Sequence, residues 1–127
     1  MRSSARETVF KFIFSKLFNS DDEGLFDVLI KDFNDDDKNF ATALNNAVNT
    51  HKEDFLNELD TIVHRYKIDR ILLADKCIIL LGMAEALIYP DTPKPVIVDE
   101  AVKLASKFST EKSPDFVNGI LAKYIME

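Results

Sequence analysis

Residues 98–121 read VDEAVKLASKFSTEKSPDFVNGIL, and the spacing of their apolar side chains decides the fold. Ala101, Val102, Ala105 and Phe108 recur at the 3.6-residue period of an α-helix, with Lys103 and Lys107 toward its C-terminal end. Asp99 and Glu100 are acids of the kind favoured near a helix N-terminus, where unpaired N–H groups and aligned peptide dipoles attract negative charge. Ser113-Pro114 opens a second helix, serine as cap and proline at the first helical position, where a missing N–H costs nothing. Phe116, Val117, Ile120, Leu121 and Tyr124 carry the period onward. Two amphipathic helices therefore flank a short polar elbow, and the elbow gathers lysines beside aromatic rings.

Upstream, the same period predicts further helices. One runs from a cap at Asp69 to about Tyr89 and is ended by the three prolines of residues 90–95. Its apolar run is broken by Asp75, Lys76 and Glu85, so it falls short of the ~20 apolar residues a membrane span needs. Residues 52–66 bury Phe55, Leu56, Leu59, Ile62 and Val63, and residues 38–50 bury Phe40, Leu44, Ala47 and Val48, with neither Gly nor Pro between the two. Residues 23–33 place Leu25, Phe26, Leu29, Ile30 and Phe33 on one face. The first helix starts at Ser4, which forms a capping box with Glu7, and reaches about Phe18. The expectation is all-α: one domain over residues 1–127, a bundle of about seven helices with short links. Gly82 and Gly119, each inside a helical pattern, read as points of close helix approach.

A chain of 127 residues with 46% hydrophobic side chains, 3 Gly and 4 Pro can bury a sizeable core and is not disordered by composition. The single cysteine, Cys77, lies in an apolar run and reads as a buried small hydrophobe. One cysteine makes no internal disulfide, and no charged-then-apolar leader stands at the start; both point to the cytoplasm. The net charge of −6 is unevenly spread. Residues 21–37 hold eight acids against Lys31 alone, whereas residues 1–20 set Arg2, Arg6, Lys11 and Lys16 against Glu7. Local field, rather than the total, steers a phosphate backbone.

Catalytic signals are missing from this pattern. His51 and His64 have no Cys or His at metal-ligand spacing, and no Gly-rich phosphate loop, nucleophile elbow or His-Glu-x-x-His occurs. No metal or cofactor is implied, and an enzyme is not expected. The first helix instead carries Phe10, Phe12, Phe14 and Phe18 among Val9, Ile13 and Leu17. One inward stripe cannot bury every ring. Either the helix is sandwiched between layers, or Phe14 and Phe18 are exposed beside cations, which is what base stacking next to phosphate contacts needs. Phe108 and Phe116 carry the same two readings, a satellite core under the elbow or a stacking surface.

Several segments resemble one family. Ala5-Arg6-Glu7, Asp69-Arg70, Leu81-Gly82-Met83-Ala84-Glu85-Ala86-Leu87, Asp99-Glu100-Ala101-Val102, Lys107-Phe108-Ser109 and Phe116-Val117-Asn118-Gly119-Ile120-Leu121 are similar to the signature of the NusB family of bacterial transcription antitermination factors. The resemblance implies two packed helical subbundles joined near residues 66–69. It also implies binding of single-stranded boxA-type RNA with the ribosomal small-subunit protein NusE, so that RNA polymerase reads through terminators in ribosomal RNA operons.

Matched by position, the RNA residues would be Arg2, Arg6, Phe14, Phe108, Lys112 and Phe116; Lys107 joins them on charge alone. The NusE face would draw on Asp69, Asp75 and Glu85. The arginine-rich N-terminus of many relatives is reduced here to Arg2 and Arg6. Phe14 stands where tyrosine is common, and Lys112 where some relatives have an acid. Two other readings stay open: an RNA-binding front like those of some RNA cytosine methyltransferases, and a self-associating scaffold, since some relatives form homodimers that hide the RNA face.

Overall fold

The computed structural model describes residues 1–17 and 24–126. Among them are six helices and no strand: α1 (Arg2–Lys16), α2 (Leu25–Ile30), α3 (Asp35–Arg65), α4 (Leu73–Ile88), α5 (Lys94–Phe108) and α6 (Ser113–Met126). The expected ring of Phe18 lies outside the described residues.

The count differs from seven because the expected third and fourth helices are one, α3. Nothing between them breaks the backbone, and Phe40, Leu44, Val48, Phe55 and Leu59 keep a single inward face along 31 residues. Its start is capped by Asn34, whose side chain accepts from the Asp37 N–H at 2.8 Å. Asp35, Asp36 and Asp37 fill the first turn and His64 and Arg65 the last, the arrangement the helix dipole favours. His51 therefore sits mid-helix, its ring 5.8 Å from that of Phe55, rather than near a helix end.

Other boundaries move by a turn. The capping box does not form: Met1 is the N-cap, Ser4 lies within α1, and Glu7 turns to lysines instead. α4 begins after Leu72 rather than at Asp69. α5 begins at Lys94, with Pro95 in its first turn, because proline is tolerated where no N–H is needed. Asp99 and Glu100 consequently fall in the second turn, Asp99 outward and Glu100 inward.

α4 is the central element and packs against α1, α3, α5 and α6. Every residue from Cys77 to Glu85 is buried, and desolvation pushes the Cys77 thiol up to about 11. At Gly82 an added Cβ would come within 2.9 Å of Leu121 Cδ1, so glycine is what lets α6 approach α4. Gly119 has no such role, because a Cβ there would meet only the Lys123 ammonium, 3.8 Å away. α1 is sandwiched against α2, α3 and α4. Val9, Phe10 and Phe12 are buried, the Phe12 ring is tilted 56° against that of Phe26 of α2 at 5.1 Å, and Phe14 is half-buried.

Candidate nucleic-acid interface

Arg6 enters the bundle from the second turn of α1 and meets two carboxylates. Its Nε and Nη2 donate to the two oxygens of Glu85, both at 2.7 Å, and Nη1 donates to Glu100 Oε1 at 2.7 Å. Ser3 Oγ also donates to Glu100, and Lys103 stands 3.2 Å from its other oxygen. Arg6 is 6% exposed and Glu85 2%. Burial alone would push the Arg6 pKa down, yet the hydrogen bonds and charge of Glu85, with Glu100, outweigh it and hold it above the ordinary value. Burial works against ionised Glu100 as well, but its bonds from Ser3 and Lys103 and the Arg6 charge keep its carboxyl below the usual range.

This triad ties α1, α4 and α5 together. Arg6, expected as a phosphate contact, is spent on internal pairing, and Glu85, expected on the NusE face, is its partner. A bidentate guanidinium–carboxylate fork satisfies both groups away from water, which the bare sequence pattern could not reveal.

Asp75 is likewise turned inward, 3% exposed. Its Oδ1 accepts from Ser109 Oγ at 2.6 Å and its Oδ2 from Ser113 Oγ at 3.0 Å. The two serine oxygens are 2.8 Å apart, and Ser113 Oγ accepts from the Thr110 N–H at 3.2 Å. Asp75 therefore faces the elbow rather than a solvent-exposed docking face. Of the three carboxylates assigned to the partner, only Asp69, in the link before α4, is exposed. The physical reason is the burial of α4 on four sides, which forces its polar side chains to find internal partners.

The remaining expected RNA residues lie near the surface in three groups. On α1 and α5, the Phe10 ring stacks on Phe14 at 5.9 Å and tilts against Phe108 at 5.3 Å. The ammonium groups of Lys11 and Lys107 each stand 5.4 Å from the Phe108 ring centre. Glu7 joins both lysines, 2.8 Å from Lys107 and 3.3 Å from Lys11. The Lys107 hydrogen bond is the main cause holding the Glu7 carboxyl below the usual range. Lys11 and Glu7 were not singled out from sequence for this role; their i,i+4 spacing on α1 was the available signal.

At the elbow, Lys112 is exposed and pairs with no carboxylate among the described residues, and Phe116 is half-buried one turn into α6. At the start of α1, exposed Arg2 lays its guanidinium 4.5 Å from the Phe40 ring centre and 5.2 Å from that of Tyr89. Lysines over half-buried rings, with a hydrogen-bonded loop between two helices, form a surface suited to a polyanion with planar bases.

These helices form an all-helical bundle whose elbow region offers a polyanion a cation-flanked aromatic surface. The profile of the NusB family matches residues 3–126, and the chain belongs to that family. A transcription antitermination protein NusB from Streptomyces griseus subsp. griseus is 49% identical over 57 residues, 45% of this chain. The corresponding protein of Methylacidiphilum infernorum is 50% identical over 54 residues, 42% of this chain. These matches span 40% and 38% of the two relatives' own lengths. Among solved structures, T. maritima NusB superposes with a TM-score of 0.80 at 26% identity, covering 100% of this chain and 92% of the other. The NusB chain matched in a crystal structure of the antitermination factors NusB and NusE in complex with dsRNA gives 0.78 at 25% identity, covering 98% and 96%.

Proposed function

We propose that this protein is a non-catalytic RNA-binding antitermination factor, one domain over residues 1–127, that works in the cytoplasm with the ribosomal protein NusE on boxA-type RNA. The observation that carries the reading is the Phe108 ring flanked by Lys11 and Lys107 beside an elbow that presents Lys112. Family membership and the similarity to a NusB–NusE complex with dsRNA support it. Arg2, Lys11, Lys107 and Lys112 supply phosphate contacts, and Phe14, Phe108 and Phe116 supply ring surfaces. Arg6, Asp75 and Glu85 act from beneath as internal supports. Half-buried rings beside cations suit stacking by unstacked bases, which favours single-stranded RNA over a duplex.

Transcription through a terminator tests this, using RNA polymerase, NusE and templates with and without a boxA-type leader. Read-through should rise only when this protein and the leader are both present, and a single-stranded boxA competitor should abolish it more effectively than the same sequence as a duplex. Read-through independent of the protein would refute the function. Equal competition by the duplex would refute the single-strand assignment.

A further inference from the structure

Asp75 is an odd carboxylate to keep. It is buried, its partners are neutral hydroxyls, and it pairs with no cation among the described residues. Burying a carboxylate on such terms is costly, and its place in the first turn of α4 offsets only part of that cost through the helix dipole. A leucine there would bury more cheaply. What a carboxylate adds is two acceptor oxygens at fixed separation, and here they hold the two ends of one loop. Ser109 follows the last residue of α5, Ser113 is the first of α6, and Thr110, Glu111 and Lys112 between them are exposed. Thr110 closes the ring through both its N–H and its hydroxyl, the latter 2.8 Å from Ser113 Oγ.

We propose that Asp75 is a positioning residue of the RNA interface: by clamping Ser109 and Ser113 it fixes the elbow, and so sets where Lys112, midway in sequence between Phe108 and Phe116, stands. The proposal rests on the RNA reading above. Asp75 itself touches no RNA; it acts through the two serines. An elbow held at both ends has little conformational freedom left to lose when a strand docks, so Lys112 contributes its full attraction. Released, the same lysine samples many positions, and its contact with any one phosphate is diluted.

The test uses the full chain and a single-stranded boxA-type oligonucleotide, with binding followed across a salt series. Asp75→Ala should weaken binding about tenfold and make the logarithmic salt slope shallower by ~0.7, the share of one phosphate contact. Lys112→Ala should do the same in the natural background and almost nothing further in the Asp75→Ala background. Asp75→Asn should restore most of the affinity, because the amide still offers an acceptor to one serine and a donor to the other. Ser109→Ala, at a half-buried position that tolerates the change, should show a smaller loss of the same kind and decides the matter if Asp75→Ala fails to fold.

A lowered melting temperature with unchanged RNA affinity and salt slope in Asp75→Ala and Ser109→Ala, while Lys112→Ala still weakens binding, would overturn the clamp and leave the RNA reading standing. Natural RNA binding in Lys107→Ala and Lys112→Ala as well would overturn both.

Discussion

Replacing Arg6 by alanine separates a structural arginine from an RNA-binding one. The change removes the shared cation of Glu85, 2% exposed, and Glu100, 8% exposed; it leaves Glu85 without its cation and Glu100 with only Ser3 and Lys103. Breaking a buried ion pair from one side costs about 3–5 kcal/mol, because the surviving charge stays desolvated. For a chain of this length that is a fall of roughly 10–20 °C in melting temperature.

The pH dependence carries a second signature. The natural protein holds Glu100 below its ordinary carboxyl value of 4.5, so its contribution is present at neutral pH and lost as pH falls through that lowered pKa. Arg6→Ala lacks the Arg6 share of that stabilisation, so it has less to lose on acidification. The gap between the two melting curves should therefore narrow as pH falls from 7 to below 4.5. Differential scanning calorimetry over that range, with RNA salt titrations well below both transitions, gives both readouts. A melting temperature within a few degrees of natural at pH 7, together with a salt slope shallower by ~0.7, would refute the triad and restore Arg6 as a phosphate contact.

Two further outcomes follow from the geometry. Glu7→Gln removes the anion that holds Lys11 and Lys107, so RNA should bind several-fold more tightly with a steeper salt slope in anisotropy titrations, while an unchanged slope would place these lysines off the RNA path. Gly119→Ala should raise stability by up to about 1 kcal/mol, whereas Gly82→Ala should lower it by about 1–3 kcal/mol as its Cβ presses on Leu121, with partial recovery on adding Leu121→Val; chemical denaturation measures all three, and the opposite order would contradict the close α4–α6 approach.

Helix number and class were largely legible in the sequence because a 3.6-residue period survives wherever one face meets the core. The continuity of α3 was not, since a surface stretch such as residues 52–54 loses hydrophobic signal without losing helix. Gly82 and Gly119 look alike in sequence, and only the position of Leu121 tells a necessary glycine from a dispensable one. The charged residues were harder still. Arg6, Asp75 and Glu85 have the composition of a surface and the placement of a core, because their partners lie 34–94 positions away in the chain. The clustering of Lys107 with Phe108 beside the elbow was legible because its signal is local: cations and rings crowded around a break between two helices.

The most direct measurement is binding of a single-stranded boxA-type oligonucleotide to this protein, alone and with NusE, across a series of salt concentrations. Saturable binding is expected that weakens linearly in log–log form with salt, tightens when NusE is added, and loses about one phosphate contact's slope in Lys107→Ala and again in Lys112→Ala. Absence of binding in both settings, or binding with slopes indifferent to these two lysines, would contradict this expectation.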